Sequence, residues 1–243
     1  MHFIEHIIEP TKLLLAWQSL DEKHRTRYIV AEINHVGEDV NLTYLVDTAD
    51  FIKAQKMGFE SYPAFQDIQK THHHVLDAFM RRLPPRSRGD FPQYLEALRL
   101  KSSSTFSDFA LLGYSGAKLP SDGFSIIHPF NNADSACELL IEAAGYRHVV
   151  SNHSSEMNIG TPVAFSPIQH HHVTKEVAID IMDGKAQQIG YVPRGLISTF
   201  IDWMDDDRIA DAWIEKVNGT SDKPRIYIFI QILSKKMENS CSN

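Results

Sequence analysis

Apolar and polar positions divide the chain into short runs, most of which read as strands. Residues 13–17 (LLLAW) form an uninterrupted apolar run of strand length, the pattern of a buried strand. A charged turn over residues 21–26 separates this run from residues 27–33, whose alternation marks a partner strand, and residues 41–46 supply a third. Three strands joined by short polar turns predict an antiparallel meander. Residues 58–65, with Pro63 inside, read as extended chain or loop. Ile68, Leu76, Phe79, Met80 and Leu83 then fall at helical spacing, and Pro84-Pro85 ends that helix. A second helix is expected over residues 91–100, with Asp90 as its N-cap and Pro92 in its first turn. Residues 101–105 read as a loop, 106–113 as a short helical segment, 124–127 as a strand and 129–134 as a linker.

In the second half, residues 137–144 fit strand or helix, because periodicity alone does not separate the two. Residues 161–165 and 176–182 read as strands, Asp183-Gly184 as a turn and residues 188–192 as the returning strand. Residues 193–203 begin a helix whose apolar face carries Leu196, Ile197 and Phe200. Residues 209–217 fit a strand or a helix extension, and Asn218-Gly219 reads as a turn. Residues 225–233 (RIYIFIQIL) are the clearest strand in the chain. The expected class is α+β. A meander-plus-helix domain spans residues 1–135, a small β-barrel-like module with one or two helices spans 136–234, and 235–243 form a polar tail.

Composition agrees with two small domains. The chain has 243 residues, 43% of them hydrophobic, which is enough for a real core and excludes a disordered chain. Net charge is −7, unlike a generic polyphosphate binder, but the charge is uneven. Between Lys70 and Lys101 seven basic residues face three acidic ones, so one basic island sits in an acidic chain. Two cysteines, Cys137 and Cys241, make no disulfide framework, which favours a reducing compartment. No basic segment followed by an apolar stretch opens the chain, and no apolar run is long enough to span a bilayer. The expectation is a soluble cytoplasmic protein that does not engage membranes.

Three segments carry a resemblance. Residues 178–194 read AIDIMDGKAQQIGYVPR, a strand, a short turn, and a second strand that ends in a Gly-Tyr-Val-Pro step into a helix. Gly145-Tyr-Arg-His148 precedes them, and a closing strand over residues 226–232 follows. Together these segments resemble the HIRAN family over about 95 residues. HIRAN modules occur alone in bacteria and fused to chromatin-remodelling helicases, where they bind single-stranded DNA ends. The resemblance implies that Arg147 and His148 match the pair contacting the nucleic acid. It also implies that Tyr191 and Arg194 match the edge at the helix start. An arginine can bond phosphate through two nitrogens, and a ring can stack on a terminal base. The family's acidic and amide-rich loop before the central strand is replaced here by His170-His171-His172 and Lys175.

The first half resembles, more weakly, the N-terminal subdomain of HipA-like toxin kinases. The resemblance rests on residues 79–88 (FMRRLPPRSR), Tyr94-Leu95 and residues 109–113. No Gly-rich phosphate loop and no His-Arg-Asp-type catalytic segment follows. The resemblance implies a protein partner encoded nearby, such as a kinase-like toxin or a DNA-binding subunit, with this chain as an interaction or antitoxin-like subunit.

Other residue groups are weighed on chemistry. Arg81, Arg82, Arg86 and Arg88 put four guanidinium groups within eight residues, able to neutralise several phosphates or to pair with acidic loops at a helix C-terminus. His72-His73-His74, placed on a helix, point about 100° apart and cannot close on one ion. His170 and His172 would share one face of a strand and are the candidate ligands for a divalent metal such as zinc, with only Glu176 nearby. Asp202, Asp205, Asp206 and Asp207 read as a solvated helix end, the alternative being a metal-dependent nucleic-acid hydrolase. No Gly-x-Ser-x-Gly elbow is present. The leading expectation is a non-catalytic protein that binds DNA or RNA, single-stranded, without a cofactor.

Overall fold

The structure is a computed structural model that describes residues 1–21, 26–119, 121–146, 158–168, 177–220 and 223–236. It is a mixed α+β fold with small antiparallel sheets, and the chain separates into two compact units. The first unit holds Ile8–Asn132 and Arg194–Leu196; the second holds Met1–Ile7, Ala133–Pro193 and Ile197–Asn243. Both are therefore discontinuous in sequence. Among the described residues no helix is long and apolar enough to cross a membrane.

The first unit is built on β1 (Lys12–Gln18). It pairs with β2 (Arg27–Val36) on one edge and with β4 (Phe124–Ile127) on the other, and β3 (Asp39–Tyr44) adds to β2. The expected three-strand meander is present, and β4 returns from the far end of the unit to complete it. The uninterrupted apolar run of β1 follows from cover on both faces. Leu13 lies against Gly113 of helix α4 (Asp108–Ser115), where an added Cβ would fall 2.8 Å from the leucine, while Leu14 lies against Gly195. Ser107 caps α4 by accepting from the Ala110 N–H at 2.9 Å, and the helix ends on Gly116 at φ 71°.

Helix α1 (Ala49–Lys56), capped by Thr48, is not singled out by the hydrophobic pattern, since Phe51 and Ala54 are its only buried positions. The helix expected from Ile68 to Leu83 is reduced to α2 (Leu76–Met80). The reason is the free edge of β3. His72 exchanges both backbone hydrogen bonds with Leu42, at 2.8 and 2.9 Å, and the Val75 N–H reaches Val40 O at 2.9 Å. His72 and His73 therefore lie on chain that follows the sheet edge and His74 in a bend at φ 54°, none of them on a helix. Helix α3 (Phe91–Ala97) starts where expected but ends three residues early, with Arg99 at φ 64°, and Asp90 makes no side-chain cap bond.

Among the described residues the second unit contains two three-stranded sheets. One has the order β5-β10-β9, from β5 (Cys137–Glu142), β9 (Ile209–Thr220) and β10 (Lys223–Ile232). The other runs in sequence order through β6 (Val163–Ile168), β7 (Ala178–Asp183) and β8 (Gln188–Tyr191). Strand β10 is central and buries Ile226, Ile228, Phe229 and Ile230 together, which accounts for its unbroken apolar sequence. Among the described residues two single bridges connect the sheets: Ala144 with Tyr191, and Pro162 with Trp213. Helix α5 (Ile197–Asp205) contributes Phe200 and Trp203 to the core. Asn218-Gly219 is not a turn, because Asn218 pairs with Arg225 and Gly219 with Pro224, and the ladder continues to Thr220 with Lys223.

Buried polar groups attach the terminal segments of each unit. In the second unit Glu138 accepts from the backbone N–H groups of Glu5 and His6, each at 2.9 Å, and contacts the His6 ring. Glu215 does the same for His2, at 3.2 Å from its N–H and 2.9 Å from its ring, and also accepts from the Trp213 indole N–H. Arg208, 5% exposed, donates to the carbonyls of Ala133, Asp134, Ser135 and Leu233. In the first unit His128 has its Nε2 3.1 Å from Ile8 O, while its Nδ1 accepts from the Phe130 N–H at 2.9 Å. The accepting role of Nδ1 assigns the proton of the neutral ring to Nε2. Burial lowers the pKa of His128 to about 4, against the opposing hydrogen bond to Ile8.

That depressed pKa sets a pH dependence. The unfolded chain takes up the proton first, near the ordinary value of 6.5, so the contribution of His128 is complete above that pH and is lost as pH falls toward 4. Between about pH 7.5 and about pH 5 the loss should be about 2 kcal/mol. Urea unfolding at both pH values should show this loss in the wild type, reduced by about that amount in His128→Gln.

Candidate nucleic-acid interface

The second unit brings two of the sequence segments of interest together at one seam. Strand β7 ends at Asp183, whose carboxylate accepts from the Lys185 and Gln187 N–H groups at 2.9 Å each and so shapes the reversal at Asp183-Gly184. The returning strand β8 leads to Gly190 and Tyr191. There the Tyr191 N–H donates to Ala144 O at 2.8 Å and the Ala144 N–H donates to Tyr191 O at 2.9 Å. This approach needs Gly190, at φ 149°, because an added Cβ would fall 2.8 Å from Ala144 O and 3.1 Å from the Ala143 Cβ. Across this pairing Gly145, at φ 71°, abuts one edge of the Tyr191 ring, where a Cβ would fall 3.1 and 3.3 Å from two ring carbons. Tyr191 is half-buried, and the chain continues from Gly145 into the buried Tyr146. Arg147 and His148, the next two residues, lie outside the described residues, as do His170 and His172.

Arg194 belongs to the first unit. Its Nη1 donates to the Asp50 carboxylate, and its guanidinium lies 5.8 Å from the centre of the Tyr28 ring. The arginine cluster divides by environment. Arg82 faces inward with its side chain 5% exposed. It forms two parallel bonds of 2.8 Å with Asp122, and reaches Ala117 O at 2.8 Å and Phe124 O at 3.2 Å. Burial is the strongest single influence and acts to raise the Asp122 pKa, but the bonds from Arg82 and the Phe124 N–H together with the Arg82 charge hold the carboxyl below the usual range. Arg82 is thus a core residue with no face for a phosphate. Arg86 pairs with Asp108 at 2.8 Å and lies over Phe91 and Phe106. Arg88 pairs with Asp90 at 2.7 Å, which explains why Asp90 does not cap α3. Arg81 is exposed. Three of the four arginines of the cluster are therefore matched by a nearby aspartate.

The histidines of the first unit also serve the fold. The His73 ring and the His74 N–H and ring converge on the Asp39 carboxylate at 2.7, 2.9 and 3.1 Å, and these bonds hold the Asp39 carboxyl below its usual pKa. Asp202, Asp205, Asp206 and Asp207 are exposed at the end of α5, with Lys235 4.0 Å from Asp206. Among the described residues no group of three or more histidine, cysteine, aspartate or glutamate side chains is placed to hold a metal ion. Cys137 is buried, which pushes its thiol up to about 12.

Sequence reasoning does not find Asp50, Asp122, Glu138 or Glu215. Each is one acidic residue among many, and its partner is distant in the chain. Gly145 and Gly190 do leave a signal, as the glycines that precede the two tyrosines of the resembling segments. The chain matches no protein-family model, no curated protein and no solved structure.

Two substitutions test this reading of the residues. Gly190→Ala should destabilise the protein by about 2 to 3 kcal/mol, because it combines an unfavourable backbone conformation with a backbone clash. Asp122→Asn should cost about 3 kcal/mol by leaving the buried Arg82 charge poorly matched. Both are read as shifts in the urea unfolding midpoint.

Proposed function

We propose that the chain is a non-catalytic nucleic-acid-binding protein whose second unit is a HIRAN-like module engaging a single-stranded end. The observation that carries this reading is the Ala144–Tyr191 seam. It places the Gly145-Tyr146 segment, which leads directly to Arg147 and His148, beside the Gly190-Tyr191 step. A half-buried tyrosine ring held along one edge by a glycine backbone is fixed in place, and a fixed aromatic ring is the kind of group on which a base can stack. We also read the second unit as barrel-like, with the Ala144–Tyr191 and Pro162–Trp213 bridges as its two seams; the Ile214 N–H bond to Thr161 O at 2.9 Å supports the latter. The pairing of Arg86 and Arg88 with aspartates leaves the first unit little net basic attraction, so binding should depend on a few local contacts rather than on a broad field.

Fluorescence anisotropy of a short labelled single strand, titrated against salt, tests the proposal. Binding is expected at low salt, weakening as salt rises. Tyr191→Ala should lower affinity by about tenfold, consistent with the loss of one base stack. Arg147→Ala should reduce the salt slope by about one. Absence of binding at low salt, or affinities unchanged in both variants, would overturn it.

A further inference from the structure

We propose that Asp50 is a carboxylate lock on Arg194, occupying a guanidinium that a nucleic-acid phosphate would otherwise bind. This rests on the nucleic-acid reading above and adds a regulatory element to it. Arg194 follows the Gly-Tyr-Val-Pro step, yet its Nη1 is held within the first unit by Asp50. The lock is anchored on both sides. The second carboxylate oxygen of Asp50 accepts the Ile29 N–H of β2 at 2.9 Å, so the acid is fixed to the sheet. Gly195 is seated against Ile127 and Leu14, where a Cβ would meet methyl carbons at 3.0 to 3.3 Å, so the backbone bearing Arg194 is fixed as well.

Accessibility separates this pair from the other arginine–aspartate pair that packs into the first unit. The Arg82 side chain is 5% exposed, and backbone carbonyls accept from it beside Asp122. Arg194 and Asp50 are 27% and 18% exposed, open enough for water and for an incoming anion to reach. A partly exposed ion pair contributes little net stability. Carboxylate and phosphate oxygens accept from the same guanidinium donors, so one can replace the other with only a side-chain rearrangement. Binding then exchanges an internal anion for an external one, and the apparent affinity is reduced by the cost of displacing Asp50.

The test measures affinity of the full chain for a short labelled single strand in the wild type, Asp50→Asn, Asp50→Ser, Arg194→Ala and the Asp50→Asn/Arg194→Ala double variant. Asparagine and serine each retain an acceptor for the Ile29 N–H while removing the charge, and circular dichroism verifies that each variant is folded. Both Asp50 variants should bind about two- to fivefold more tightly than the wild type, and the double variant should show no gain over Arg194→Ala. Binding by the wild type with no gain in either Asp50 variant would overturn the lock and leave the nucleic-acid reading intact. The same holds for a gain that persists without Arg194, which would mark Asp50 as a general repulsive charge. Failure of the wild type and of both Asp50 variants to bind at low salt would overturn both.

Discussion

Tyr191 and Ala144 exchange two backbone hydrogen bonds, and they can do so only because residue 190 has no side chain. A β-carbon there would press on a carbonyl oxygen, and a backbone clash has no flexible side chain to absorb it. The candidate interface depends on this contact. It sets one edge of the Tyr191 ring against the Gly145 backbone, and it fixes the chain after β5 as far as Gly145. With the pairing at Pro162 and Trp213, it joins two three-stranded sheets, neither of which would be stable alone, over one core of isoleucine, phenylalanine and tryptophan.

Electrostatics in this chain is local. The island of positive charge near residue 85 looks like a phosphate-binding surface when charges are counted along the sequence. In three dimensions Asp122, Asp108 and Asp90 meet three of its arginines. Arg82 shows the stronger form of this matching. A guanidinium withdrawn from water must satisfy its donors internally, and it does so with a carboxylate and backbone carbonyls. Arg194 is matched too, but near solvent, where exchange for another anion costs little.

Buried acids and bases also do the work of joining distant segments. Glu138 and Glu215 hold the first residues of the chain, Arg208 gathers four carbonyls, and neutral His128 connects Ile8 with Phe130. Each satisfies backbone groups that lack a partner in a helix or sheet ladder, which is the usual requirement for burying irregular chain.

The sequence by itself determined the elements whose signal is local. The apolar runs of β1 and β10 and the Asp183-Gly184 reversal could be read from hydrophobic pattern and turn chemistry, because burial and backbone preference act residue by residue. Only the tertiary structure decided what depends on partners far away in the chain. The residues around His72 left a helical pattern to pair with the edge of β3, since unpaired strand groups gain more from a ladder than a short helix gains from its own turn. Asn218-Gly219 became strand because β10 continued the ladder past it. Which arginines remain near solvent was likewise set by the positions of Asp122, Asp108, Asp90 and Asp50, and sequence distance carries no information about those positions.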